Sequence, residues 1–135
     1  MLGEQIAELV GNITSQRILD IDNTSPKIEA TVSLYGKMNN VDVKSIITYW
    51  NIRKPDGSLY GEGRGIITTN EGDMATSRAQ GMGKLDKDGV ARWLGSVFYT
   101  STPTGKLTFL DNLIGVFDTE VSADGHVLEK VWQWK

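Results

Sequence analysis

The chain has 135 residues, 39% of them hydrophobic, with a net charge of −3, one histidine and no cysteine. That length suits a single domain spanning 1–135, able to bury roughly two-thirds of its unfolded surface. The mixed charge offers no field for nucleic acid or an anionic membrane, and the missing cysteines exclude a disulfide framework and thiolate chemistry.

In chain order, the opening "MLGEQIAELVGNI" carries Glu4 and Glu8 within its apolar stretch and lacks the basic region of a signal peptide. No apolar run approaches a membrane span, so a cytoplasmic protein with no membrane association is expected. A first strand is predicted near 5–19, closed by the break "DNTSP", and a second near 27–37, closed by "GKMNN". Then come strands near 41–54, 59–69, 73–86 and 90–101, separated by "KPDGS", "TNEGD" and "DKDGV". After "STPTG", the stretch "GKLTFLDN" suits a short helical turn near 105–112 that caps one end of the fold. Strands near 114–122 and 126–134 follow, joined by "SADGH".

Four of these breaks share one grammar, an acidic residue followed by glycine: Asp56-Gly57, Glu71-Gly72, Asp88-Gly89 and Asp124-Gly125. A type I turn followed by a left-handed glycine requires that order, and it is a common hairpin connection. Eight long strands joined by tight hairpins imply an all-β fold, an eight-stranded antiparallel up-and-down barrel that abolishes its own sheet edges.

The hairpins also fix the register. Tyr49 should face Gly63, Gly61 should face Gly81, and Trp93 should face Gly83, which places odd-numbered residues on one face through four strands. That face is small and uncharged apart from a strand end, whereas the other carries Asp42, Lys44, Glu62, Arg64, Arg78, Lys84 and Arg92. A one-residue slip would bury the whole charged set, so the odd face points inward. The spaced glycines of "GEGRGIITTNEGDMATSRAQGMGKL" are therefore not a phosphate loop, which needs a helix N-terminus directly after it. Two readings remain: close strand approach beneath an overlying aromatic, or room for a cavity.

The same reasoning buries Ala7, Leu9, Ile13 and Leu19 of the first strand, Ile28, Ala30, Val32 and Leu34 of the second, and Phe117, Val121, Val127 and Val131 of the last hairpin. It also turns Arg17 and Glu129 inward. Because first and last strands neighbour one another in a closed barrel, Arg17 and Glu129 are expected as an ion pair at one mouth, beside Tyr49, Asn51 and Trp93. An inward charge must be paired or wet. These five residues are the candidate ligand-binding set, with Glu129 the one candidate acid or base. No nucleophile–histidine constellation is visible, and one histidine leaves too few ligands for a zinc site, so neither metal nor cofactor is expected. Outside, Trp50, Phe98, Trp132 and Trp134 join Ile46, Ile66, Met74 and Met82 in an apolar exterior, and a homo-oligomer through that aromatic face is expected.

The glycine-spaced stretch, with "LDNLIGVFDTEV" and the terminal "KVWQWK", resembles small uncharacterised microbial proteins with an allene oxide cyclase-like, calycin-like barrel. The resemblance implies a barrel that holds or guides apolar molecules, often as an oligomer. It brings no catalytic motif that matches position by position. Three functions stay open: a binding barrel for a small apolar or amphipathic ligand, its polar group held by Arg17; an oligomeric interaction protein with a filled interior; and a cyclase or isomerase acting by confinement. The weight falls on binding rather than catalysis.

Overall fold

The computed structural model describes all of residues 1–135. Eight strands run in chain order: β1 (Leu2–Asp22), β2 (Ser25–Met38), β3 (Val41–Arg53), β4 (Ser58–Thr68), β5 (Met74–Leu85), β6 (Ala91–Ser101), β7 (Ile114–Val121) and β8 (His126–Trp134). Each pairs antiparallel with the next, and β1 pairs with β8, so the sheet closes into a barrel. The all-β antiparallel barrel read from the sequence is the observed fold.

The four acidic-glycine turns have one geometry. Gly57, Gly72, Gly89 and Gly125 adopt φ of 86°, 88°, 82° and 91°, a region that costs glycine little and a β-carbon much. In each turn the glycine N–H donates to the residue three before it, as Gly57 does to Lys54. That same residue donates its own N–H across the hairpin, as Lys54 does to Ser58. Between β2 and β3 the turn is shorter: Asn39 and Asn40 take φ of 46° and 66°, as a two-residue hairpin turn demands.

Pinned by such turns, β3 to β6 keep the expected parity. Tyr49 opposes Gly63, Gly61 opposes Gly81 and Gly83 opposes Trp93. The odd residues Val43, Ser45, Ile67, Ala75, Trp93, Val97 and Tyr99 are buried. One end of the barrel is plugged by the β6–β7 connection, whose single 3-10 turn spans Thr108–Leu110 within the stretch expected to cap it. Leu107 and Leu110 there have no exposed surface.

The first strand departs from expectation. Its pairing with β8 ends at Asn12–His126, and only the Ile13 N–H reaches further, to Gly125 O at 2.9 Å. Beyond that, β1 pairs with β2 alone, and two register shifts leave Thr14 and Leu19 as extra residues. A bulge reverses which side the following residues face. Ser15 therefore stands opposite outward Thr31, and Arg17 opposite Glu29. Residues 14–22 are exposed, Leu19 at 40%, and run on as a sheet edge held by β2 alone, with the hairpin tip beyond the Asp20–Lys27 pair projecting past β3 as a ribbon.

Candidate functional site

The barrel interior holds a cavity of about 100 Å³. A few tens of Å³ would already admit a water molecule, so there is room for a molecule of several heavy atoms. Its wall is mostly apolar and aromatic. Trp93 of β6 meets Tyr49 of β3 edge-on, with ring centroids 6.2 Å apart, and Phe117 of β7 and Tyr99 of β6 also border the space.

The glycines answer both readings at once. A β-carbon on Gly61 would lie 2.6 Å from Trp50 O and 3.2 Å from the Trp93 ring, so the absent side chain is what lets Trp93 lie across that strand. On Gly95 it would come within 2.1 Å of Gln80 O and 2.6 Å of Phe117 Cζ. These are close approaches of backbone and aromatic, as strand glycines often permit. Gly61, Gly63 and Gly81 also line the cavity, so the rings they seat stop short of filling the interior.

Glu129 supplies the cavity's inward-facing carboxyl group. It stands on β8 between Leu9 of β1 and Thr119 of β7. Neighbouring atoms leave part of its surface uncovered, but that surface faces the cavity from deep within the barrel. Removal from bulk water raises its pKa from the ordinary 4.5 to about 7, and the adjacent Thr119 hydroxyl tempers the rise by favouring the carboxylate. The hydroxyl stays short of a well-formed hydrogen bond: Thr119 Oγ1 is buried without a partner. Buried polar atoms are nearly always satisfied, so an orphan hydroxyl beside an enclosed carboxyl marks a place where a guest could complete the bonding.

Two tyrosines join Ser45, Ser77 and Gln80 in the polar part of the wall. Burial pushes the Tyr99 hydroxyl well above its usual pKa, and the charge of Glu129 adds to that push, so the two groups feel one another across the interior. Burial alone raises Tyr49. Both phenols stay protonated and can donate. No lysine, arginine or histidine borders the cavity. Glu62 touches its edge from the outer side and accepts a hydrogen bond there from Tyr60 Oη at 2.8 Å.

Of the five residues singled out in the sequence, Tyr49, Trp93 and Glu129 come together here. Asn51 does not reach the cavity; its Nδ2 donates to Ile28 O at 3.5 Å. Arg17 lies outside altogether, with its Nη2 3.2 Å from Glu29 Oε1 and its side chain 70% exposed. The expected Arg17–Glu129 pair is absent for two reasons: the Thr14 bulge turns Arg17 outward, and β8 reaches along β1 only as far as Asn12, with Glu129 itself opposite Leu9. Thr119 and Tyr99 were not singled out. Tyr99 already lay on the odd inner face, and alternation between the inward Phe117 and Val121 puts Thr119 there too, although nothing in the flanking Asp118 and Glu120 marks it as a site residue.

No known family pattern matches the sequence, and no curated relative does either. Among solved structures, the chain is similar to a protein of unknown function from Clostridium acetobutylicum, with a TM-score of 0.78, 14% identity and coverage of 97% of this chain and 98% of that one. It is also similar to a conserved protein of unknown function from Rhodopseudomonas palustris, with a TM-score of 0.76, 11% identity and 99% of each chain covered. At such identities the likeness establishes a shared fold and nothing finer.

Proposed function

We propose that the barrel binds a small, largely apolar molecule carrying one neutral hydrogen-bond acceptor, such as a carbonyl oxygen. The observation that carries this reading is the unpartnered Thr119 hydroxyl beside Glu129, both on the wall of an aromatic-lined cavity. Small-molecule sites have this composition, an apolar lining with a few convergent polar groups. With Arg17 outside, no cation awaits a carboxylate ligand, and ionised Glu129 would repel one. A protonated Glu129 and the Tyr99 hydroxyl instead offer two donors to an acceptor oxygen. The allene oxide cyclase-like resemblance belongs to this proposal, as a barrel that receives apolar molecules.

The test is a titration followed by NMR with cyclopentanone, an isosteric hydrocarbon (cyclopentane) and butyrate as probes. The ketone is expected to shift the Trp93 indole and Thr119 signals, the hydrocarbon to bind more weakly, and butyrate to leave both unmoved. Binding of the ketone should weaken as pH rises through about 7, because the donor proton on Glu129 is then lost. Filling the cavity with Ala79→Leu should abolish the shifts. Equal binding of ketone and butyrate, or shifts that survive Ala79→Leu, would overturn the reading.

One observation favours a second reading, a cyclase or isomerase. A carboxyl group poised near pH 7 in an enclosed apolar space is suited to move a proton either way. Glu129→Gln separates the two. It keeps a hydrogen-bond donor at the same place, so it should leave ketone affinity nearly intact but abolish any turnover.

A further inference from the structure

The outer face of the barrel carries a feature that the cavity does not explain. Arg64 of β4 and Arg78 of β5 stand directly opposite one another. Like charges in cross-strand register are destabilising, and neither arginine has an acidic partner among the ion pairs of the molecule. They lie in an outer groove of about 420 Å³, bounded by Trp50 and Phe98 and floored by Gly63 and Ala79. Phe98 is 55% exposed. Glu62, also in the groove, is engaged by Tyr60, and Lys27 lies over the Trp50 ring at 4.6 Å from its centroid. The groove is therefore basic, aromatic and unoccupied by any segment of its own chain.

The ribbon formed by the end of β1 and the start of β2 has the opposite character. Residues 14–22 are exposed on both faces, and past Ile13 the outer edge of β1 pairs with nothing. Ile18 and Ile21 are 66% and 60% exposed. Asp20 and Asp22 near the tip form no ion pair, although Lys27 stands across from Asp20, its ammonium over Trp50 instead. Only the tip beyond the Asp20–Lys27 pair lacks a third strand, since β2 is paired with β3 from Lys27 onward, and such a two-stranded tip is marginal in water. Pairing across the hairpin puts Ile18 and Ile21 on one face, opposite Ile28 and Pro26, and Asp20 and Asp22 on the other, where the two free carboxylates complement two unpaired arginines.

We infer that the ribbon tip of one copy lays its outer face on the Arg64–Arg78 groove of a second copy, with Asp20 and Asp22 meeting the arginines between the flanking Trp50 and Phe98 rings. The contact is reciprocal. Trp50 borders the groove and also pairs with Glu29 at the base of its own ribbon, so groove and ribbon are neighbours on each copy. A two-fold axis then forms both contacts together and closes the assembly as a dimer. Of the aromatics expected at an interface, Trp50 and Phe98 take part. Trp132 and Trp134, opposite Gln5 and Leu2 of β1, lie elsewhere.

Charge reversal tests this with residues that are all exposed and distant from the core. Sedimentation velocity of the wild type across about 1 to 100 µM should show a dimer. Asp20→Lys with Asp22→Lys gives a basic tip facing a basic groove, and Arg64→Glu with Arg78→Glu gives an acidic tip facing an acidic groove. Each variant alone should dissociate at least about 100-fold more readily, since like-charge juxtaposition at an interface costs several kcal/mol. Mixed one to one, the two variants satisfy both contacts at once and should re-form a dimer. Circular dichroism matching the wild type confirms that each variant is folded. A monomeric wild type, variants that associate as the wild type does, or a mixture that stays monomeric would each overturn the inference.

Discussion

The four-strand wall of β3 to β6 and the β1–β2 ribbon both begin from a hydrophobic–polar alternation, although β1, at 21 residues, is far longer than the 11 to 13 of the wall strands. One becomes a closed wall with Tyr49, Trp93 and Tyr99 inside it, and the other runs out into solvent as an exposed sheet edge along residues 14–22. The difference lies in what fixes the register. In the wall, three turns of identical geometry leave each residue one possible partner, and inner and outer faces never exchange. In the ribbon, the extra residue Thr14 reverses the faces, Leu19 interrupts the pairing again, and the strand outruns its neighbour β8. The same bulges that release the ribbon also distort its edge, a common protection against indiscriminate strand pairing.

The largest expected effect breaks the wall. Gly95→Ala would place a β-carbon 2.1 Å from Gln80 O, in the backbone of the adjoining strand, where no side chain can move aside. A loss of about 3 kcal/mol or more in a denaturant titration is expected, at the upper end of what overpacking costs. A loss below about 1 kcal/mol would mean that the strands can part here and that the wall is not close-packed.

The next effect comes from inside the wall. Because the folded protein raises the Glu129 pKa from 4.5 to about 7, the folded state holds its proton more tightly than the unfolded chain does. The contribution to stability is fully present below about pH 4.5 and is lost as pH rises to about 7, beyond which it is constant. That difference amounts to about 3 kcal/mol. Glu129→Gln should remove this component of the stability–pH curve, measured by urea unfolding at several pH values. A variant with the wild-type curve would place the titrating group elsewhere.

Much of this was legible in the sequence because it rested on local chemistry. Acidic-glycine pairs dictate a turn, the turn dictates the cross-strand partners, and the partners dictate the inner face; Tyr49, Trp93 and Glu129 followed from that chain alone. Arg17 did not. Nothing in "GNITSQRILDID" announces an extra residue, since neither Thr14 nor Leu19 is a glycine or proline. The signal was energetic: alternation carried through from Ile13 placed an arginine on an inner face, and a cost of that size is itself evidence that the register shifts first. Thr119 fell on the inner face between Phe117 and Val121, but its role was hidden for a different reason. Its significance comes from Glu129 and Tyr99, on strands that closure of the barrel brings to one cavity.

The smallest effect sharpens the contrast between ribbon and wall. The Arg17–Glu29 pair lies in solvent, with side chains 70% and 33% exposed, where an ion pair contributes between nothing and about 1 kcal/mol. Arg17→Ala should therefore shift the urea midpoint by little, and less still at high salt, which already screens the pair. Its diagnostic value lies in what it leaves alone. Were Arg17 the partner of Glu129, removing it would strand an enclosed carboxylate, raise its pKa further and steepen the loss of stability toward neutral pH. With Arg17 on the ribbon, the Glu129 component of the stability–pH curve should be the same in Arg17→Ala as in the wild type. A curve displaced to higher pH would return Arg17 to the cavity and undo the separation of ribbon from wall.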